Sequence, residues 1–251
     1  MKNILITGAS AGFGKAIAEK LAVKGNRLIV TGRTKSKLDK VTQYINEQTE
    51  ATAISLVFDI QNLEACKKAI ESIPPEYQPI DVLINNAGLA LETKPIYEGD
   101  IVDWEQMINT NVKGLLYITR LISPQMVARK EGHIINIGSI SSHEVYPGGN
   151  VYCATKHAVW ALSQGMRLDL LPHGIKVTQV SPGAAETEFS IVRFKGNTQR
   201  ASQVYEGFEP LCAEDVADTV EYILSRPKHV CINEIHLTAT AQYGGIIHRN
   251  K

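Results

Sequence analysis

Tyr152 and Lys156 stand four residues apart in a stretch with the hydrophobic period of a helix. Residues at that spacing lie on one helix face, so the ammonium group can approach the phenol. A free tyrosine has a pKa of about 10, and a nearby cation lowers it by favouring the phenolate. The pair therefore predicts a proton-transfer site of the kind that alcohol and carbonyl chemistry requires. Taken alone, the spacing also fits a pair on a solvent-exposed helix.

A glycine-rich run near the start of the chain is suited to binding a phosphate group. It follows the apolar run Asn3–Thr7 and precedes a stretch of helical period. Glycine allows a tight turn and a close backbone approach to a ligand, and the N-terminus of the next helix favours an anion. The order strand, glycine turn, helix is typical of a dinucleotide site, although a structural turn is the alternative. The predicted contacts in this loop are Gly8, Ser10, Ala11, Gly12, Phe13 and Gly14.

The end of the second apolar run discriminates between two nicotinamide cofactors. An acidic residue there would accept hydrogen bonds from the ribose 2′-OH of NAD. The chain has Arg33 and Thr34 at this point instead. A guanidinium group pairs well with a 2′-phosphate, although a surface arginine after a strand is also ordinary. The sequence therefore predicts NADP as the cofactor.

Short apolar runs alternate with longer helical stretches along the whole chain. The runs are rich in Ile, Val and Leu, which is typical of strands covered on both faces. The pattern predicts a single-domain α/β chain over residues 1–251, with a Rossmann-like doubly wound fold whose helices cover both faces of a seven-stranded, mostly parallel sheet. The predicted strands are Asn3–Thr7, Arg27–Thr31, Ala53–Asp59, Asp81–Asn85, His133–Gly138, Lys176–Ser181 and Glu234–Leu237. The predicted helices are Gly12–Lys24, Lys35–Glu47, Leu63–Ser72, Trp104–Lys130, Val151–Pro172 and Ala213–Ser225.

Charge and cysteine content exclude several classes of protein. The 251 residues include 26 Lys and Arg and 26 Asp and Glu, so no general field attracts nucleic acid or an anionic membrane. We expect neither a secretory signal nor a membrane span. The cysteines are scattered, so we expect buried free thiols in a reducing cytoplasm rather than a disulfide or a metal site. They are Cys66, Cys153, Cys212 and Cys231.

Residues 184–210 are the least regular part of the chain. They follow the sixth predicted strand and so lie at a strand's carboxyl end, where α/β folds bind ligands. We interpret the segment as a substrate lid, with a plain surface excursion as the alternative.

Further motifs occur in a consistent order. They are Thr7-Gly8-x-x-x-Gly12-x-Gly14, Asn85-Asn86-Ala87-Gly88, Asn111, Ser139, Tyr152-x-x-x-Lys156 and Pro182-Gly183-x-x-x-Thr187. In these the chain resembles the short-chain dehydrogenase/reductase family over nearly its whole length. The resemblance implies four catalytic residues, Tyr152, Lys156, Ser139 and Asn111. Ser139 would hold the reacting oxygen toward Tyr152, and Asn111 would hold a water that links Lys156 to solvent, although locally Asn111 also fits a polar helix-interior residue.

The same resemblance implies the cofactor contacts outside the glycine loop. Asp59 would contact the adenine, although it also fits an ordinary turn residue. Pro182, Gly183 and Thr187 would flank the nicotinamide. The full implied set is Arg33, Thr34, Asp59, Ile60, Asn86, Tyr152, Lys156, Pro182, Gly183 and Thr187.

The C-terminal third resembles a narrower group. The similar segments include residues 187–196, 214–217 and 227–233. They resemble the NADP-dependent 3-hydroxy acid dehydrogenases, which act on serine, L-allo-threonine, 3-hydroxypropionate or the matching 3-oxo acids such as malonic semialdehyde. This implies an oxidoreductase that is a cytoplasmic homotetramer. The alternatives are a reductase of 3-oxoacyl thioesters or small ketones and a non-catalytic NADP-sensing protein.

A 3-hydroxy acid carries a carboxylate, which a cation should pair with. Arg193 and Lys195 lie in the predicted lid. We hypothesise that Arg193 binds the carboxylate, with Ser139 and Tyr152 as the other substrate contacts. Alternatively, Arg193 and Lys195 are solvated charges on the predicted lid that bind no substrate. We also expect the loop Ser141–Gly149 to line the pocket.

Overall fold

Seven parallel strands form one sheet in the computed structural model, which describes residues 1–249. Asn250 and Lys251, which the predicted domain 1–251 includes, lie outside the described residues. The strands are β1 Asn3–Ile6, β2 Arg27–Gly32, β3 Thr52–Val57, β4 Val82–Asn85, β5 His133–Ile137, β6 Lys176–Pro182 and β7 Glu234–Leu237. Their order across the sheet is β3-β2-β1-β4-β5-β6-β7. The prediction of a seven-stranded, doubly wound parallel sheet is confirmed.

Aliphatic strand residues are buried from both sides of the sheet. All four residues of β1 are buried. Leu5 pairs with Ile29 of β2 on one side and with Leu83 of β4 on the other. β-Branched and other apolar side chains fit such a surface, because both faces are covered and none of them meets water.

Helices cover both faces of the sheet. They are α1 Gly12–Lys20, α2 Lys35–Gln48, α3 Leu63–Glu71, α4 Ile101–Ile108, α5 Leu115–Arg129, α6 Asn150–Leu170, α7 Glu188–Arg193, α8 Thr198–Gln203 and α9 Ala213–Leu224.

Each face has its own apolar core. One core joins strand residues to α1, α2 and α9, and includes Ile17 and Val220. The other joins strand residues to α3, α5 and α6, and includes Ile118 and Leu170. Full burial of one such isoleucine stabilises the fold by about 1.5–3 kcal/mol.

The strand order reverses next to β1. From β1 the chain builds β2 and β3 on one side, and then returns to place β4 on the other. The loops after β1 and β4 therefore leave the sheet in opposite directions and open a crevice at the carboxyl ends of the strands. This crevice is where the predicted glycine loop lies.

One predicted helix is wrong in its details. The region predicted as the helix Trp104–Lys130 begins earlier, at Ile101, and is interrupted by a π-helical turn over Asn109–Gly114. α5 follows directly, from Leu115. A π turn inserts one residue into a helix without breaking it, so the hydrophobic period alone does not reveal it. Such turns are frequent at functional sites, and Asn111 lies within this one.

The segment 184–210 contains the two short helices α7 and α8. The Thr187 hydroxyl accepts a hydrogen bond from the Phe189 backbone N–H at the start of α7. The Asn197 side chain caps α8 by accepting one from the Arg200 backbone N–H. Near the C-terminus, β8 Gln242–Tyr243 and β9 Ile246–Ile247 form a small antiparallel hairpin.

All four cysteines are free thiols, as predicted. Cys66 and Cys153 are buried, but Cys212 and Cys231 are exposed, so the expectation that all four are buried is wrong for two. In the described part of the chain, we find no helix with the length and apolar character that crossing a membrane requires.

Candidate active site

A cavity of about 560 Å³ lies at the carboxyl ends of the strands. Its size is in the usual range for a small-molecule site. Of the residues predicted for the site, Gly14 and Asn111 lie behind its wall, and the others line it. The lining residues are Gly8, Ser10, Ala11, Gly12, Phe13, Arg33, Thr34, Asp59, Ile60, Asn86, Ser139, Tyr152, Lys156, Pro182, Gly183, Thr187 and Arg193.

The glycine loop forms one wall and depends on its glycines for two reasons. Gly8 and Gly12 have φ angles of +67° and +51°, which side chains with a Cβ disfavour. At Gly14 a Cβ would clash with the Gly8 carbonyl oxygen, so a glycine is needed for close packing under the loop. α1 then begins without a side-chain cap and without an acid in its first turn. Its free N–H groups and dipole can therefore hold an anion.

Asn86 braces this loop from the end of β4. Its side-chain Nδ2 donates to the carbonyl oxygens of Thr7 at 2.9 Å and Gly8 at 3.1 Å. In return, the Thr7 hydroxyl accepts from the backbone N–H groups of Asn86 and Ala87, each at 3.0 Å. The amide is thus used to fix the loop backbone, which holds this wall of the cavity in shape.

The far end of the cavity carries the residues predicted to select the cofactor. Arg33 is exposed at the wall immediately after β2, beside Thr34. Asp59 and Ile60 line the same end, after β3. The Asp59 carboxylate also accepts a hydrogen bond from the Gln61 backbone N–H at 3.0 Å. This is the local bond that an ordinary turn residue makes.

Tyr152 lies at the other end, near the start of α6, and is buried. Burial raises the pKa of Tyr152 above its ordinary value and the neighbouring Tyr146 adds to the rise, whereas Arg193 and the Ser139 hydroxyl act in the opposite direction. The guanidinium carbon of Arg193 is 5.4 Å from the Tyr152 ring centre, and Lys156 Nζ is 6.0 Å away. The expectation that Lys156 lowers the pKa of Tyr152 is therefore wrong for the chain on its own. Burial raises this pKa by more than any nearby charge lowers it, and the cation that lowers it is Arg193 rather than Lys156.

Lys156 is a buried cation with one backbone partner. Its Nζ donates to the Ile137 carbonyl oxygen at the end of β5, over 2.9 Å. Burial lowers the pKa of Lys156 to about 8. The ammonium form is therefore kept at neutral pH at a cost in stability, because a charge prefers water.

Ser139 follows β5 and points into the cavity. Its hydroxyl is 3.4 Å from the Pro182 carbonyl oxygen and accepts from the Ser141 backbone N–H at 3.1 Å. These two contacts hold the side chain on the Tyr152 side of the cavity. The hydroxyl can hydrogen-bond an oxygen atom of a bound molecule there.

Asn111 is buried in the π turn, behind the cavity wall. Its Oδ1 accepts from the Leu89 backbone N–H at 2.9 Å, and its Nδ2 donates to the Leu89 carbonyl at 2.8 Å and the Thr155 hydroxyl at 3.0 Å. The amide thus ties the segment after β4 to α6, one residue before Lys156. Asn111 positions the site rather than lining it.

Arg193 lies at the end of α7, among aromatic rings. Its guanidinium donates to the Tyr146 hydroxyl, and its carbon is 5.3 Å from the Tyr146 ring centre and 6.0 Å from that of Phe189. Its Nε is buried and has no hydrogen-bond partner within residues 1–249. A desolvated donor of this kind, at the wall of a cavity, favours binding of an oxygen anion.

Lys195, the other candidate cation, points elsewhere. Its Nζ is 2.9 Å from the carboxylate of the buried Asp103 on α4. A second ion pair joins the same segment to the body of the protein, between Arg200 and Glu92 at 3.1 Å, and the Glu92 N–H donates to the Arg193 carbonyl at 2.9 Å. These contacts hold α7 and α8 over the cavity.

Some lining residues were not predicted from the sequence. The C-terminal hairpin contributes Gln242, Gly245 and Ile247, and the segment 184–210 contributes Phe189 and Tyr205. Gln242 Oε1 accepts from the Ala184 N–H at 2.8 Å, which closes this corner. No spacing signal links position 242 to position 184, so only the fold brings them together. Tyr146, from the loop predicted to line the pocket, does so.

Known proteins resemble the chain over most of its length. The family model for short chain dehydrogenase matches residues 2–197. Serine 3-dehydrogenase from Rhizobium radiobacter is 41% identical, covering 96% of this chain and 94% of that protein. NADP-dependent 3-hydroxy acid dehydrogenase from Salmonella typhi is 41% identical, covering 98% and 99%. The solved closed form of serine dehydrogenase complexed with NADP⁺ has a TM-score of 0.91 and 41% identity, covering 98% of this chain and 99% of that one.

Replacing Lys156 with methionine should stabilise the fold. The pKa of Lys156 is 10.5 in the unfolded chain and about 8 in the folded protein. Burying the charged side chain therefore lowers the free energy of unfolding at pH values below 10.5, and this loss reaches its full size below about pH 8. We expect Lys156→Met to gain about 2 kcal/mol at pH 7, or roughly 4–8 °C in Tm, after loss of one hydrogen bond. The gain should shrink as the pH rises toward 10.5.

The measurement is thermal unfolding at pH 7 and pH 10. The matched control is Lys113→Met, since Lys113 is exposed in the π turn, and we expect a change within about 0.5 kcal/mol. A Lys156→Met protein that is less stable than wild type at pH 7 would contradict the buried-charge interpretation.

Proposed function

The chain belongs to the short-chain dehydrogenase family, and we propose that it is an NADP-dependent oxidoreductase that transfers a hydride between NADP and a 3-hydroxy acid such as serine, L-allo-threonine or 3-hydroxypropionate. One observation carries the choice of substrate. The guanidinium group of Arg193 lies 5.4 Å from the Tyr152 ring, and its Nε is buried without a hydrogen-bond partner among the described residues. A substrate that joins a hydroxyl to a carboxylate satisfies both groups.

The cavity fits NADP. Its adenosine end has Arg33 in place of an acid, which suits a 2′-phosphate. Its middle is the uncapped N-terminus of α1, which suits the pyrophosphate. When bound, NADP supplies or accepts the hydride at its nicotinamide ring. We assign its contacts to the predicted set that lines the cavity: Gly8, Ser10, Ala11, Gly12, Phe13, Arg33, Thr34, Asp59, Ile60, Asn86, Tyr152, Lys156, Pro182, Gly183 and Thr187.

Tyr152 is the proposed acid and base. Its phenolate oxygen takes the proton from the substrate hydroxyl during oxidation, and its phenol returns a proton to the carbonyl oxygen during reduction. Ser139 hydrogen-bonds the same substrate oxygen and keeps it facing Tyr152. Lys156 supplies positive charge at the inner side of the ring, where burial strengthens its effect.

Asn111 has a positioning role in this proposal. It holds the Leu89 backbone against Thr155, and Lys156 follows directly. A Cβ placed on Gly88 would lie 3.3 Å from Asn111 Oδ1 and 3.7 Å from Lys156 Nζ. The glycine therefore leaves space between these groups, and the proposed water that links Lys156 to solvent would use it.

The substrate carboxylate binds Arg193 in this scheme. Tyr146 and Phe189 flank the guanidinium and exclude water, which strengthens an ion pair with a ligand. The segment 184–210 acts as the lid, since it carries Arg193 and its ion pairs hold it over the cavity.

We also propose a homotetramer in the cytoplasm. The end of α6 exposes Leu168 by 73%, and Leu171 follows with 70%, so this helix has an apolar surface available for another subunit. The four free thiols fit a reducing compartment.

A substrate comparison tests the proposal. With NADP⁺, we expect oxidation of L-serine, L-allo-threonine, 3-hydroxypropionate and 3-hydroxybutyrate. The kcat/KM for 3-hydroxybutyrate should exceed that for its uncharged methyl ester at least about 10-fold, since one charged hydrogen-bonded contact contributes about 1.5–3 kcal/mol. Tyr152→Phe should lower kcat about 10²–10⁴-fold for all of them. Faster turnover of 3-oxoacyl thioesters or neutral ketones with NADPH, or tight NADP binding without any turnover, would contradict the proposal.

Arg193→Ala tests the carboxylate site separately. We expect kcat/KM for L-serine and 3-hydroxybutyrate to fall about 10–100-fold, because the carboxylate loses its charged partner, while the methyl ester loses less than about 3-fold. Lys195→Gln is the matched control, because it keeps a donor for Asp103, and its kcat/KM should stay within about 2-fold of wild type. Unchanged kcat/KM for the two acids in Arg193→Ala would show that their carboxylate binds elsewhere.

A further inference from the structure

Two histidines and a glutamate meet at the free edge of the sheet, away from the cavity. Glu234 and His236 are on β7, the edge strand, and His143 is in the loop that follows β5. We call His143, Glu234 and His236 the edge cluster. Each of the three residues offers one ligand atom, and these three atoms lie within 4.8 Å of one another. The proposed reaction does not use this cluster.

Three hydrogen bonds and one further imidazole nitrogen converge on a single oxygen of this cluster. Glu234 Oε1 is 2.8 Å from His143 Nε2 and 3.2 Å from His236 Nε2. It also accepts from Gln179 Nε2 and from the Ser181 hydroxyl, each at 2.9 Å. A carboxylate oxygen offers about two lone-pair directions, so it cannot pair with all four of these groups with good geometry. Gln179 and Ser181 fill these two directions, which leaves the two imidazole nitrogens for another partner.

A divalent metal ion removes this excess. Each imidazole then binds the ion through the lone pair of Nε2 instead of donating a proton to the carboxylate. Glu234 Oε1 keeps Gln179 and Ser181 as donors, and these two orient it as metal-bound carboxylates usually are oriented. Gln179 and Ser181 are both buried, so their side chains hold this oxygen in a fixed position.

The distances fit a transition metal. Zinc binds histidine nitrogen and carboxylate oxygen at about 2.0–2.2 Å, so neighbouring tetrahedral ligands are about 3.3 Å apart. The Nε2 to Oε1 distances of 2.8 and 3.2 Å therefore need to open by only a few tenths of an ångström. The ring of His143 is also fixed from the side, since its centre lies 5.3 Å from the Trp160 ring in an edge-on contact and 4.6 Å from that of His236.

We propose that the edge cluster binds one Zn²⁺ ion per chain through His143 Nε2, Glu234 Oε1 and His236 Nε2, with water completing the coordination. Two imidazoles and one carboxylate are typical zinc ligands, whereas Mg²⁺ prefers oxygen ligands alone. The bound ion fixes the loop after β5 to the edge strand. That loop also carries Ser139 at its start and Tyr146, so the ion stabilises the wall of the cavity without contacting it.

Zinc titration of the metal-free protein tests the proposal. After treatment with a chelator and its removal, we expect isothermal titration with Zn²⁺ to give one site per chain and a Tm rise of several degrees, and Mg²⁺ to give neither. Co²⁺ in place of Zn²⁺ should give visible d–d absorption. His236→Gln and Glu234→Gln should each weaken Zn²⁺ binding at least about 10-fold and abolish the Co²⁺ spectrum.

The matched control is His229→Gln, since His229 is an exposed histidine outside the edge cluster. It should bind Zn²⁺ as wild type does. Cys231→Ser tests the nearby exposed thiol and should also bind normally. His236 is half exposed, so circular dichroism is expected to show a folded His236→Gln protein. No Zn²⁺ binding to wild type at millimolar concentration, or equal binding to wild type and His236→Gln, would overturn the proposal, and neither result bears on hydride transfer.

Discussion

Removal of water from Tyr152 and Lys156 is the physical constraint on which the site depends. Burial raises the pKa of Tyr152 and lowers the pKa of Lys156 to about 8, so each group is pushed toward its neutral form. The fold accepts this cost because a charge that forms in such an environment interacts strongly with its neighbours. Arg193, at the end of α7, opposes the rise in the pKa of Tyr152. The chain on its own therefore holds a protonated tyrosine beside two cations.

The scaffold supplies this arrangement through the ends of its parallel strands. β5 ends at Ile137, whose carbonyl holds Lys156, and Ser139 follows two residues later. β4 ends at Asn85, and the next residue, Asn86, braces the glycine loop after β1. The π turn places Asn111 where it can tie the chain after β4 to α6. Ser139, Tyr152 and Lys156 thus come from the β5–β6 crossover, whereas Asn111 and the glycine loop come from two other crossovers, and the sheet sets the distances between them.

Much of this could be predicted from the sequence because the signals are local. Runs of Ile, Val and Leu predict buried strands, and the glycine pattern, Arg33 and the Tyr152–Lys156 spacing each fall within a few residues. The π turn at Asn109–Gly114 was missed because one inserted residue does not disturb the helical period. The raised pKa of Tyr152 was missed because burial is a property of the whole fold. Gln242 and the edge cluster were missed for the same reason, since His143 and Glu234 are 91 positions apart.

We expect the site to keep Tyr152 protonated until the positive nicotinamide of NADP⁺ is present. An ultraviolet difference titration of wild type against Tyr152→Phe measures the phenolate of this residue alone. Without cofactor, we predict no Tyr152 phenolate below about pH 10. With NADP⁺ the phenolate should form at a pH at least about one unit lower than with NADPH, whose ring is neutral. A Tyr152 phenolate that forms well below pH 10 in the chain alone would contradict the account.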